Sequence, residues 1–171
     1  MYGGKKESCS DSFFHAMEWK KDTSPLIDEI EPVVRGMGFS LVEVSRQATK
    51  GRLQIRVVIY HYRGVGLKDC EMVHKTIMPR LELIENDQDI YLEVTSPGIN
   101  RNLKYADEFS IFIDRQVSIL GYDESDWIQG MIAGAYENEL ELITPEGKQI
   151  IPIDKIKKAK LVYSQEEKNR K

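Results

Sequence analysis

The chain of 171 residues is poor in the side chains that staple or metallate small proteins, with two cysteines and three histidines. Neither Cys9 nor Cys70 belongs to a CxxC pair, which argues against a disulfide scaffold and a zinc ribbon. His15, His61 and His74 fall in three separate segments without i,i+4 spacing, so no metal site is expected. No apolar run approaches the ~18 residues of a membrane span. The charged first residues also lack the pattern of a signal peptide, so the expectation is a soluble, cytoplasmic protein that does not enter a membrane. A basic excess is missing as well: 24 Lys+Arg stand against 28 Asp+Glu, a net charge of −4, which argues against a protein that simply coats nucleic acid. Ser96 has no G-x-S-x-G elbow around it. Gly64-Val65-Gly66 lacks the third glycine and the Walker lysine of a phosphate loop and reads as a loop ending at a helix cap. No enzyme and no cofactor is expected.

What is present is a segregation of charge. Residues 1–104 carry 15 basic and 15 acidic side chains, residues 105–154 carry 2 against 11, and residues 155–171 carry 7 against 2. The three segments are therefore at 0, −9 and +5, and the average of −4 describes none of them. A segment at −9 repels phosphate and favours a basic protein, whereas a lysine-rich end does the reverse. Within the acidic segment, Asp123, Glu124, Asp126, Glu137 and Glu139 fall in or beside turns and are the candidates for contact with such a protein. The same acids would also serve to keep a small β domain in solution.

Periodicity organises the rest. Residues 1–22 show no sustained pattern and are expected to be a flexible extension. Ser24 as N-cap, Pro25 at the first helical position and Leu26, Ile27, Ile30, Val33 and Val34 on one face predict a helix over 24–35, ended by Gly36 and Gly38. Phe39 to Ser45 alternates as a strand, with Phe39, Leu41 and Glu43 on one face and Val42 and Val44 on the other. Leu53, Ile55, Val57 and Ile59 define one face of a second strand and Arg52, Gln54, Arg56, Val58 and Tyr60 the opposite one, the two strands forming a hairpin. Leu67, Cys70, Val73, Ile77 and Leu81 predict a second helix, which Pro79 should kink or end near Met78. Ile90, Leu92 and Val94 then mark a third strand. This order of helix, strand, strand, helix and strand predicts an α+β N-terminal domain over 23–98 with helices on one face of its sheet.

A linker over 99–108 follows. Five short strands broken by turn residues predict a small all-β barrel of the SH3-type/Sm-like kind over 109–163, ahead of a basic tail at 164–171. Arg52 and Arg56, with Tyr60 on the same face, are candidates for RNA contact, guanidinium forks taking phosphate and the ring stacking a base. The alternative is the ordinary wet face of an antiparallel sheet. Lys155, Lys157 and Lys158 are further candidates for RNA contact. Ser96, Pro97, Gly98, Asn100 and Arg101 form the expected hinge, with Pro97-Gly98 at the centre of a type II turn and Arg101 placed to fix the domain orientation by a charge-assisted hydrogen bond.

The stretch leaving the third strand, Leu92-Glu93-Val94-Thr95-Ser96-Pro97-Gly98-Ile99-Asn100-Arg101-Asn102-Leu103, resembles the L-E-V-S-S-P-G, aliphatic, D-R-P-L hallmark of the RimP family of bacterial ribosome maturation factors. Gly36-Met37-Gly38-Phe39-Ser40-Leu41-Val42, Asp69-Cys70-Glu71, Ile151-Pro152-Ile153 and Ile156 with Ala159 to Val162 extend the resemblance over about residues 24–163. Thr95, Asn100 and Asn102 depart from it, where the family has Ser, Asp and Pro. The resemblance implies an α+β domain followed by an Sm-like barrel. It further implies a non-catalytic monomer that assists assembly of the small (30S) ribosomal subunit by binding the immature particle, its barrel contacting a basic ribosomal protein near the decoding region and other surfaces the rRNA. The other reading weighed is an Sm-like, ring-forming regulator that binds small RNAs.

Overall fold

The computed structural model describes residues 25–163 except 50, 87 and 88. The expected N-cap at Ser24, the extension over 1–22, Cys9, His15 and the tail at 164–171 lie outside the described residues. A first helix, α1 (Pro25–Gly36), leads into β1 (Ser40–Thr49) and β2 (Arg52–Tyr60), an antiparallel pair. The hairpin turns at Gly51, whose φ of 84° is the left-handed conformation that glycine adopts without cost. Helix α2 (Leu67–Ile84) then crosses over to β3 (Asp89–Thr95), which lies parallel to β2 and completes a three-stranded sheet of order β1-β2-β3. Both helices cover one face of this sheet, because Leu26, Ile30 and Val34 of α1 and Val73, Ile77 and Leu81 of α2 share a core with Leu53, Ile55, Val57 and Ile59.

Three local expectations are corrected. The alternation of β1 breaks at Val42, where the register jumps from Leu41↔Ile59 to Glu43↔Val58. This bulge leaves Leu41 and Val44 packed on the helical core while Val42 packs against the core of the second domain. Helix α2 does not end near Met78 but runs through Pro79 to Ile84. Pro79 sits on the exposed side while Val73, Ile77 and Leu81 hold the buried stripe, so the lost N–H falls on the solvent-facing side of the helix. At the exit of β3, the left-handed residue is Asn100, with φ of 61°, and not Gly98, so the expected type II turn at Pro97-Gly98 is absent. Asparagine is among the few side chains that accept this conformation readily.

The segment expected as a linker folds onto the second domain: β4 (Asn102–Leu103) pairs with the last strand, and Leu103 and Ala106 enter its core. A single helical turn, α3 (Glu108–Ile111), follows. The remaining strands are β5 (Gln116–Gly121), β6 (Ile128–Ala135), β7 (Glu139–Thr144), β8 (Gly147–Pro152) and β9 (Ile156–Leu161). They form an open antiparallel sheet of order β4-β9-β5-β6-β7-β8 around Phe109, Phe112, Val117, Ile119, Ile132, Leu140 and Leu142. No described helix is long and apolar enough to cross a membrane.

Candidate functional site

The junction of the two domains is built around Arg101. Its Nη1 donates to Glu43 Oε2 of β1 at 2.9 Å and its Nε donates to Glu108 Oε2 of α3 at 2.8 Å. Glu108 is 2% exposed, and its other oxygen accepts the backbone N–H groups of Lys104 at 2.8 Å and Tyr105 at 3.3 Å. The Lys104 ammonium completes the group by donating to Glu43. Two carboxylates thus meet two cations, so the cluster is neutral and each domain supplies part of it. Beside it, Tyr60 of β2 stacks edge-on against Phe112 at 4.8 Å between centroids, an apolar plug between the sheets. The junction opens into a cleft of about 890 Å³ between α1, β1 and the segment from Arg101 to Ile111. Among its other charges, Arg35 pairs with Glu31 at 2.7 Å and Arg46 with Glu85 at 2.9 and 2.7 Å.

Burial pushes the Glu43 carboxyl up, but the hydrogen bonds and charges of Lys104 and Arg101 outweigh it and hold the group below the ordinary carboxylate value. Burial likewise opposes the Arg101 charge, and the hydrogen bonds it donates to Glu108 and Glu43, with their negative charges, more than restore it. A carboxyl that binds its proton more weakly when folded contributes stability above its unfolded pKa of about 4.3, and that contribution is lost as the pH falls through the lower folded value. In melts between pH 7 and pH 3, Glu43→Gln is therefore expected to be less stable than the parent at neutral pH. The gap should close at the acid end.

The residues expected to contact RNA are not brought together. Arg52 and Arg56 are exposed, but β3 places Asp89 and Glu93 opposite them, at 2.8 Å and 3.6 Å. Tyr60 is 8% exposed, because the second domain covers that end of the sheet face, and it offers no ring for stacking a base. Lys155, Lys157 and Lys158 are exposed, and Lys155 lies 4.0 Å from Asp123. The Gly64–Gly66 loop is a helix cap, the Gly66 N–H donating to Asp69 Oδ2 at 2.8 Å, so a carboxylate already occupies the N-terminus of α2. His61 packs between Phe39 and Tyr62, and burial with the Asp69 charge pushes the Cys70 thiol up, away from reactive thiolate. Among the described residues, no three of His, Cys, Asp and Glu are placed to hold a metal ion.

The five acids expected to meet a basic protein are all exposed. Their two turns lie far apart in sequence, yet both join the helical turn Ile153–Lys155: Tyr122 donates its N–H to the Lys155 carbonyl at 3.0 Å, and Ile153 donates to the Asn138 carbonyl at 3.0 Å. The β5–β6 turn with Asp123, Glu124 and Asp126 and the β6–β7 turn with Glu137 thereby flank three consecutive residues that add Asp154. Sequence reasoning missed Glu43 and Glu108 as partners of Arg101. Glu108 had a signal, an acid seven residues downstream of the arginine, whereas Glu43 lies 58 residues upstream and had none.

Residues 29–100 match the family model for the RimP N-terminal domain. They span α1 from its second turn, the whole three-stranded sheet, α2 and the turn at Asn100, and they include Glu43, one of the carboxylates that hold Arg101. The α+β architecture and this match agree: this part of the chain is similar to the N-terminal domain of the RimP family, which is linked to ribosome maturation.

Proposed function

We propose that the chain is a non-catalytic assembly factor of the small (30S) ribosomal subunit. It acts as a cytoplasmic monomer that binds the immature particle transiently and leaves as the particle matures. The observation that carries this reading is the RimP N-terminal domain. The second domain supports it: its exposed acids, gathered on two turns around Ile153–Lys155, suit a basic ribosomal protein such as one near the decoding region. In this reading the particle gains a clamp, with rRNA and protein held in one arrangement by two domains fixed to each other through Arg101, and no bond is made or broken.

The other reading, an Sm-like ring that binds small RNAs, meets an obstacle. A ring closed by strand pairing between neighbours needs two open sheet edges on each subunit. Here, among the described residues, one edge of that sheet is β4, only two residues long and laid along β9, so β8 is the one full-length edge strand. Light scattering separates the two, a monomer being expected. Co-sedimentation of the purified protein with free small subunits at low salt tests the proposal itself, and failure to co-sediment would overturn it.

A further inference from the structure

One face of the second domain has the opposite sign to the rest. In the pairing of β9 with β5 the register jumps from Leu120↔Lys158 to Gly121↔Ile156, so Lys157 is an extra residue in the strand. This bulge turns Lys157 and Lys158 both outward, while Ile156 and Ala159 enter the core. Further along, Lys160 lies opposite Ser118, and Ser118 opposite Gln129, a row that crosses three strands on the outer side. Trp127, next to the start of β6, is 40% exposed, and the Lys160 ammonium lies 4.6 Å from the centroid of its ring. Ser118 is 1% exposed and its Oγ has no hydrogen-bond partner. Among the described residues, Lys157, Lys158 and Lys160 form no ion pair, in a domain whose residues 105–154 hold 11 acids against 2 bases.

We propose that this face binds single-stranded RNA, with the three lysines on phosphates and a base stacked on Trp127. The proposal rests on the assembly-factor reading and names the surface that meets the rRNA. Lys158 and Lys160 stand two residues apart, roughly 7 Å along the strand, a spacing that an extended nucleotide chain can follow. Lys160 steadies the indole by cation–π attraction while much of the ring stays open. An unpaired base offers a face for stacking that a duplex hides, which selects single-stranded over double-stranded RNA. An acidic peptide would use the lysines but would gain little from the exposed indole, and RNA is therefore the better fit.

The test is fluorescence anisotropy of the full chain with a labelled polyuridine oligonucleotide, its duplex with polyadenosine, and a polyglutamate peptide, each at low and at moderate salt. The single strand is expected to bind best. Lys158→Glu with Lys160→Glu should weaken it about tenfold or more and flatten its salt dependence, since fewer counterions are released. Trp127→Ala should weaken it about fivefold or more with the salt slope unchanged, and Trp127→Phe should recover part of the loss. A single strand bound equally by the parent and by both variants would overturn the proposal, as would tighter binding of the polyglutamate. Co-sedimentation with free small subunits, run on the same proteins, keeps the two readings apart. A parent that joins the particle but ignores the oligonucleotide refutes only the RNA face, and a parent that does neither refutes the function as well.

Discussion

Replacing Arg101 by methionine is expected to lower stability by about 3–5 kcal/mol, the usual consequence of stranding a buried charge without its partner. For a chain of this size that is a fall of roughly 6–20 °C in melting temperature. The size of the effect follows from Glu108, which is 2% exposed and receives its charge-bearing partner from Arg101 alone, its other contacts being the backbone N–H groups of Lys104 and Tyr105. Two companion variants isolate the cause. Lys104→Ala removes a cation whose side chain is 53% exposed and is expected to cost no more than about 1 kcal/mol. Arg101→Met combined with Glu108→Gln removes both charges while the amide oxygen still accepts the N–H groups of Lys104 and Tyr105, and should recover more than half of the loss, because no unpaired carboxylate remains buried. A double variant no better than the single one would mean that the packing of the Arg101 stem, rather than its charge, holds the domains together.

The second large effect concerns association. Reversing Asp123, Glu124, Glu137 and Glu139 to lysine is expected to slow association with an isolated basic ribosomal protein by roughly tenfold to a hundredfold at low salt, because steering by a field of one sign acts on the rate of encounter. The effect should shrink as salt shortens the reach of the field to about 10 Å and less. All four side chains are exposed, so the melting temperature should move by only a few degrees. Asp126 is spared since it adjoins Trp127, which keeps this experiment separate from the RNA face. Stopped-flow or surface-immobilised binding measures the rate, and unchanged association would remove the electrostatic argument for the acidic turns.

The fold was legible where one physical pattern ruled a segment. Leu53, Ile55, Val57 and Ile59 alternate because one sheet face lies under two helices, and Val73, Ile77 and Leu81 recur at helical spacing because one stripe of α2 lies on that sheet. Legibility failed where a second domain or a bulge intervened. Val58 and Tyr60 sit in what reads as a wet face, yet both are buried, Tyr60 because Phe112 and its neighbours some fifty residues later cover it. At Val42 and at Lys157 one extra residue shifts the side-chain parity of a strand, and nothing in the local sequence marks the place. The candidate site was half legible for the same reason. Arg101 stood out through the turn that precedes it, but its carboxylates come from β1 and α3, which only the packed structure sets beside it. The acidic turns were visible as charge, and their convergence on Ile153–Lys155 depends on two long-range backbone bonds.

Binding to the immature small subunit is what the proposed function of this chain, with its RimP-like N-terminal domain, stands on. The most direct test is sedimentation of purified protein with three fractions, free immature small subunits, mature small subunits and translating ribosomes, with crosslinks mapped on both sides. The protein is expected to travel with the immature particle, to be depleted from translating ribosomes, and to crosslink through the acidic turns to a basic ribosomal protein. Equal partition among the three fractions, or crosslinks confined to other surfaces, would contradict this reading.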